Sequence, residues 1–194
     1  MPKYSDADIT ALTEKMASER AALFDIVQDL SDNLADFVPQ NAEGEEQWTA
    51  KEQLAHLLES DRVHTSFGRT ALKQDGADIT QVRLTVGEGV AVTIQDAPSH
   101  SIPEIVAAMK EERARSLEFI GQLSLADFER TAKDNEFGAL TVMQWLRSLY
   151  RHDSQHAAQI QGRKSDYEPR YLSGAEPEQR LTRKAKVQAR EARR

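Results

Sequence analysis

The chain has 194 residues, 39% of them hydrophobic and none of them cysteine, and its formal net charge is −7. This composition predicts one domain with a tail, and the lack of cysteine excludes disulfides, Cys-ligated zinc sites and Cys nucleophiles. The acidic balance argues against nucleic acid as the main partner; with neither a membrane-length apolar stretch nor a signal-peptide core, we expect a soluble cytoplasmic protein.

A first helix is predicted over residues 6–34, where apolar side chains recur at three- and four-residue steps. A second helix is predicted to begin at Thr49, whose hydroxyl can cap free N–H groups while Glu52 reaches back to the cap. This helix should run to about Leu72, because the polar, Gly-containing stretch 74–78 breaks the pattern. The two helices are therefore separated by a loop.

Residues 81–95 change to a period of two. Apolar residues alternate with polar ones on both sides of a Gly-containing turn at residues 87–89. This alternation predicts a small β-hairpin inserted between the second and third helices. Because an isolated hairpin is weak, it would have to pack on the bundle or on a partner.

Two further helices carry the same kind of start signal as the second. The third is predicted to begin at Ser101, with Glu104 at the capping-box position, and to end near Gly121. The fourth is predicted to begin at Thr141 and to end near Gly162. Four amphipathic segments with long connections predict an all-α four-helix bundle, with a crossover connection, over residues 1–162. Residues 163–194 are expected to form a charged, basic tail.

His152 and His156 form the most informative pattern in the chain. They lie one turn apart on the fourth helix and continue its buried stripe, so both imidazoles can reach one point. Buried imidazoles need partners, which a shared metal ion would supply. Hydrogen bonds to Glu59, Asp61 or water would serve as well, and periodicity does not choose between these alternatives.

A third imidazole would come from the second helix. His56 is permitted but not required to face inward by periodicity, and His64 lies nearer the leucine-rich face, which makes it a rival ligand. His100 lies in a loop and is expected to be solvated. Without cysteine, any ion held by such groups would be a divalent transition metal such as Zn, Ni, Fe or Mn.

Two blocks of sequence resemble the DinB/YfiT-like superfamily. Residues 48–57 (WTAKEQLAHL) are similar to its second-helix motif, a Trp before a capped helix that bears an inward His. Residues 137–146 (FGALTVMQWL) and 150–160 (YRHDSQHAAQI) are similar to its fourth-helix motif, a helix start followed by His-x-x-x-His and Gln-Ile. The resemblance implies a four-helix bundle with metal ligands at His56, His152 and His156.

The resemblance also implies a function. Members of this superfamily are typically homodimers with a divalent ion, and some are S-transferases or isomerases that use a low-molecular-weight thiol. We therefore expect a metal-dependent enzyme of the thiol S-transferase or hydrolase type, acting on a small electrophilic substrate. The alternative is a non-catalytic, metal-binding helical dimer with a stress-related or ligand-binding role.

The chemistry such a site could perform follows from its charge. Three neutral imidazoles leave the charge of a divalent ion uncompensated, which lowers the pKa of a bound water or thiol. Glu59, Asp61 and Asp153 are the candidate acceptors that would orient the imidazoles, or serve as a base. Taken singly, each of them is more simply interpreted as ordinary helix-surface charge.

Overall fold

The computed structural model describes residues 2–38, 47–80, 82, 89–167 and 169–172. Within these residues the chain forms four long helices and one short one: α1 (Asp6–Gln28), α2 (Asp32–Ala35, a single turn), α3 (Ala50–Lys73), α4 (Ile102–Gly121) and α5 (Val142–Ile160). None of the described helices is long and apolar enough to cross a membrane. The predicted all-α four-helix bundle is confirmed.

Capping boxes start three of the long helices where the sequence predicts them. Thr49 Oγ1 accepts from the backbone N–H of Glu52 at 3.1 Å, and the Glu52 carboxylate accepts from the Thr49 N–H at 2.8 Å. Thr141 and Gln144 form the same reciprocal pair at α5, and Glu104 accepts from Ser101 N–H at α4. These bonds satisfy N–H groups that a helix start otherwise leaves without partners.

The long helices run up, down, down and up in chain order. α1 and α5 are parallel: Asp8 pairs with Arg147 at 3.7 Å near the start of both, and Arg20 pairs with Asp153 at 2.7 Å further along. The same holds for α3 and α4, which are joined by Asp61–Arg113 and, one turn later on both, Thr65–Ser116. The connection between α3 and α4 must therefore return along the bundle, which is the predicted crossover.

Two details of the prediction are corrected. The first helix ends at Gln28, not at residue 34, and a separate turn (α2) follows it. The predicted hairpin at 81–95 is wrong in its second half: residues 89–95 form no strand, and Val92 and Ile94 are buried against the bundle from a turn-rich segment. Residues 81 and 83–88, where most of its first half falls, lie outside the described residues. In residues 90–95 the alternating pattern thus reflects burial of every second residue without strand pairing.

A hairpin does occur, but later in the chain. β2 (Thr131–Asp134) pairs antiparallel with β3 (Gly138–Thr141), and β1 (Ala77–Asp78) adds a short parallel strand beside β2. Asp134 Oδ1 accepts two backbone N–H bonds in the turn, and Gly138 has a φ of 78°, which an L side chain rarely adopts. The second strand of the hairpin ends at Thr141, which is also the N-cap of α5.

The core consists of two apolar clusters. One surrounds Phe67, Phe119 and Trp145, and the other surrounds Trp48 and the leucines at the start of α3. Between the two clusters, each long helix contributes one buried charged residue to a network of four side chains that bind one another. These residues are Arg20, Asp61, Arg113 and Asp153, and we call them the charged layer.

After α5 the chain folds back onto the hairpin. The N–H of Leu172 donates to the carbonyl of Glu136 at 2.7 Å, and the rings of Tyr171 and Phe137 lie 5.0 Å apart. The first part of the predicted basic tail therefore packs on the domain. The rest of that tail, from residue 173, lies outside the described residues.

Candidate metal centre

Three imidazole rings from two helices converge in the second core cluster. Nε2 of His152 lies 3.2 Å from Nε2 of His56 and 3.0 Å from Nε2 of His156. One ring nitrogen from each of the three lies within 4.8 Å of those of the other two. The structure thus brings together the three histidines that the resemblance implies as ligands.

Helix geometry explains this convergence. His152 and His156 are one turn apart on α5, and the antiparallel α3 crosses beside them with His56. The indole of Trp48 packs edge-on against the His56 ring, with ring centroids 4.8 Å apart. His156 is fully buried and His56 is 8% exposed, whereas His152 is half-buried, so the cluster opens to solvent at His152.

The nitrogen spacing suits a shared metal ion. Ligands about 2.0–2.1 Å from one ion at tetrahedral or octahedral angles are themselves about 2.9–3.4 Å apart. The two Nε2 distances from His152 fall in that interval, and the remaining pair of ring nitrogens, from His56 and His156, lies within 4.8 Å. Neutral imidazoles without an ion could share only part of these contacts, because an N–H has to point at each acceptor nitrogen. A divalent transition metal ion, by contrast, accepts a lone pair from each of the three imidazole ligands at once.

Gln53 determines which nitrogen of His156 carries the proton. Its Nε2 donates to the Trp48 carbonyl at 3.1 Å, which turns its Oε1 toward His156 Nδ1, 2.9 Å away. An amide oxygen can only accept, so Nδ1 carries the hydrogen and Nε2 offers a lone pair to the cluster. Sequence reasoning missed Gln53, although its position three residues before His56 puts both on one face of α3.

The three predicted carboxylates make other contacts. Asp61 and Asp153 accept hydrogen bonds from the guanidinium groups of Arg20 and Arg113 within the charged layer. Burial raises the pKa of Asp61, but the two arginines outweigh it and hold that pKa below its usual range, so Asp61 is a carboxylate. Glu59 Oε1 accepts from the backbone N–H of Ile94 at 3.2 Å.

The remaining two histidines lie apart from the cluster. His64 Nδ1 is 2.8 Å from Ser148 Oγ, and its ring packs beside Phe67 and Trp145 in the first core cluster. His100 is about one-third exposed and has its Nδ1 3.9 Å from Glu104. The choice between His56 and His64 is thus resolved in favour of His56 as the third member of the cluster.

The fold and the cluster together define a four-helix-bundle protein with a three-imidazole site between α3 and α5. The chain belongs to the DinB superfamily, whose sequence profile matches residues 7–160. Its fold is similar to that of YfiT from Bacillus subtilis, described as "a probable metal-dependent hydrolase with an unusual four-helix bundle topology". The TM-score is 0.66 at 16% identity, over 84% of this chain and 89% of that one. No curated protein matches this chain in sequence.

Proposed function

We propose that His56, His152 and His156 bind one divalent transition metal ion (Zn, Ni, Fe or Mn) and that the protein is a metal-dependent enzyme. The observation that carries the proposal is the convergence of three ring nitrogens: Nε2 of His56 and Nε2 of His156 lie 3.2 and 3.0 Å from Nε2 of His152. A hydrolase or a thiol S-transferase acting on a small electrophile fits such a site. The description of YfiT as a metal-dependent hydrolase supports the hydrolase half of this choice.

The protein residues would hold, orient and expose the ion. A divalent ion bound by three neutral imidazoles supplies Lewis acidity, which lowers the pKa of a water or an external low-molecular-weight thiol. Gln53 keeps His156 in the tautomer that can bind, and Trp48 packs against one side of His56. Substrate would approach from the half-buried His152, where the cluster meets solvent.

Metal content is the first test. Protein purified without chelator should contain about one equivalent of a divalent transition metal by elemental analysis, whereas His56→Ala and His152→Ala should contain almost none. His64→Ala is the matched control, because its ring lies in the other core cluster, and it should retain the metal. Equal metal content in all four proteins, or none in the wild type, would refute the proposal.

Turnover distinguishes the reaction types. Metal-loaded protein would be assayed for ester and amide hydrolysis, and for conjugation of bacillithiol or mycothiol to chlorinated and epoxide electrophiles. Metal-dependent turnover that His152→Ala abolishes supports an enzyme. Turnover with water alone supports the hydrolase, and turnover that requires the thiol supports the transferase.

A second candidate is a non-catalytic, metal-binding helical dimer. It is favoured by one observation: Asp61 and Asp153, two of the three candidate bases, are bound by arginines. Stabilisation by metal without turnover of any substrate would support this candidate. For both candidates we propose a cytoplasmic location and a homodimeric state. Sedimentation tests the oligomeric state, because a homodimer has twice the 21.8 kDa mass of the chain.

A further inference from the structure

Each of the four long helices contributes one charged side chain to the charged layer. Arg20 comes from α1, Asp61 from α3, Arg113 from α4 and Asp153 from α5. Their side chains are 5%, 1%, 7% and 0% exposed, so all four charges are removed from water. Two positive and two negative groups leave the layer neutral overall.

Each arginine binds both aspartates. Arg20 makes a two-pronged contact with Asp153, through Nε at 3.1 Å and Nη2 at 2.7 Å, and the same Nη2 reaches Asp61 at 3.1 Å. Arg113 makes the matching two-pronged contact with Asp61, with both distances 2.9 Å, and its Nη2 reaches Asp153 at 3.0 Å. The two carboxylates are therefore held side by side between two planar guanidinium groups, a geometry with strong directional preference.

The two aspartates lie on the helices that carry the histidine cluster. Asp153 follows His152 directly and precedes His156 by three residues, and Asp61 lies five residues after His56. Because both arginines bind both carboxylates, they define how far α3 and α5 are displaced along their axes. A slip of one residue would move a ring by about 1.5 Å and turn it by about 100°, whereas metal–ligand distances tolerate only about 0.2 Å.

Stability alone does not account for this layer. Burying charges is costly, and well-packed apolar residues of similar volume often hold a bundle equally well or better. Here Nη1 of Arg20 is buried with no hydrogen-bond partner among the described residues, an additional cost. Apolar contacts, however, have no direction and tolerate sliding, whereas bidentate bonds specify a register.

We propose that Arg20 and Arg113 are positioning residues for the histidine cluster: through Asp61 and Asp153 they set the register of α3 against α5 in which the three Nε2 atoms meet. This inference rests on the proposed function for its link to metal affinity. The juxtaposition of the rings is a property of the chain itself, so the inference can also be tested in the metal-free protein.

The main test replaces the layer with apolar residues in one variant, Arg20→Met, Asp61→Leu, Arg113→Met and Asp153→Leu. We expect it to keep its helical circular dichroism and resist urea as well as the wild type, yet to bind Co(II) and Zn(II) at least tenfold more weakly. The visible absorption of its Co(II) form should also change. Leu12→Ala is the control, a cavity in the other core cluster that lowers stability but should leave affinity and spectrum unchanged.

A single substitution covers the case in which the apolar variant does not fold. Arg20→Lys keeps the charge but loses the two-pronged geometry, so metal binding should weaken several-fold, more than in Leu12→Ala. In metal-free protein, the nuclear Overhauser effect between the His56 and His152 rings should be present in the wild type and Leu12→Ala and reduced in the layer variants.

The outcomes separate the two ideas. If the wild type binds no metal but the ring–ring signal is lost in the layer variants, the proposed function fails and the positioning role stands. If the folded layer variants keep both the wild-type ring–ring signal and wild-type metal affinity, the positioning role is overturned while the metal site stands.

Discussion

Gln53 and His156 are joined by a hydrogen bond of 2.9 Å between Oε1 and Nδ1 that ties the first turn of α3 to the second half of α5. The same amide also contacts the start of α3, because its Nε2 donates to the carbonyl of Trp48, the residue before the Thr49 cap. The orientation of the most deeply buried imidazole therefore depends on how α3 begins.

Replacing Gln53 with leucine should weaken metal binding by about 10–100-fold, the usual cost of removing a group that orients a ligand imidazole. Competition with a chromophoric chelator measures this change directly. Gln53→Glu keeps an acceptor and should bind at least as tightly as Gln53→Leu. Gln144→Leu removes an amide from the cap of α5, away from the cluster, and should lower stability without changing metal affinity. Equal affinities for Gln53→Leu and the wild type would contradict this role.

Metal binding should raise the melting temperature by about 5–10 °C. An ion at a hundred times its dissociation constant adds about 2.7 kcal/mol to the free energy of unfolding, and each kcal/mol corresponds to about 2–4 °C in a domain of this size. Differential scanning fluorimetry with metal and with chelator measures the shift. His152→Ala should melt at the same temperature in both conditions, and a metal-dependent shift in that variant would argue against the three-histidine site.

Acidification should destabilise the protein below about pH 4, partly through Asp61. Arg113 and Arg20 outweigh burial and lower the folded pKa of Asp61, so its contribution is complete above the unfolded pKa of about 3.9 and is lost as the pH falls toward the folded pKa. Urea unfolding between pH 2.5 and 6 gives the slope of the free energy of unfolding against pH. One titrating proton changes this slope by up to about 1.4 kcal/mol per pH unit. Asp61→Asn should show a shallower slope, and parallel slopes would contradict the prediction.

Gly68→Ala should destabilise the bundle even though alanine is the better helix former. A Cβ at residue 68 would lie 2.9 Å from Cε1 of Phe119, whose ring is 2% exposed and packed in the core. Overpacking of this kind costs about 1–3 kcal/mol, against about 1 kcal/mol gained in helix propensity. Gly121→Ala is the control, because its Cβ would meet nothing within 4 Å and should be neutral or stabilising. Urea denaturation of both variants shows whether the free energy of unfolding falls or rises.

The helix starts could be predicted because their signals are local. The pairs at Thr49, Ser101 and Thr141 are three residues apart in sequence and form the same bonds whatever the rest of the bundle does. The pairing of His152 with His156 is local in the same way. The inward placement of His56 is not a local feature, since it depends on which face of α3 meets α5. Periodicity left the choice between His56 and His64 open, and the resemblance to a family predicted His56.

Features that need several helices at once escaped prediction. Arg20 and Arg113 look like ordinary helix charge in sequence, and only the packing of four helices brings them onto Asp61 and Asp153. The alternating residues before α4 have the period of a strand, but Val92 and Ile94 enter the core without pairing. Conversely, the strands at 131–141 contain few β-branched residues, and their pairing depends on the turn around Asp134 and Gly138.

The two tryptophans lie on opposite sides of the charged layer, one in each core cluster. Trp48 touches the His56 ring, so its emission should be quenched by Cu(II) or Co(II) bound at the cluster, while Trp145 reports on the other half. Phenylalanine at either position would leave a single indole. The pair would show in real time whether loading an ion tightens only the adjacent half of the molecule or the whole of it.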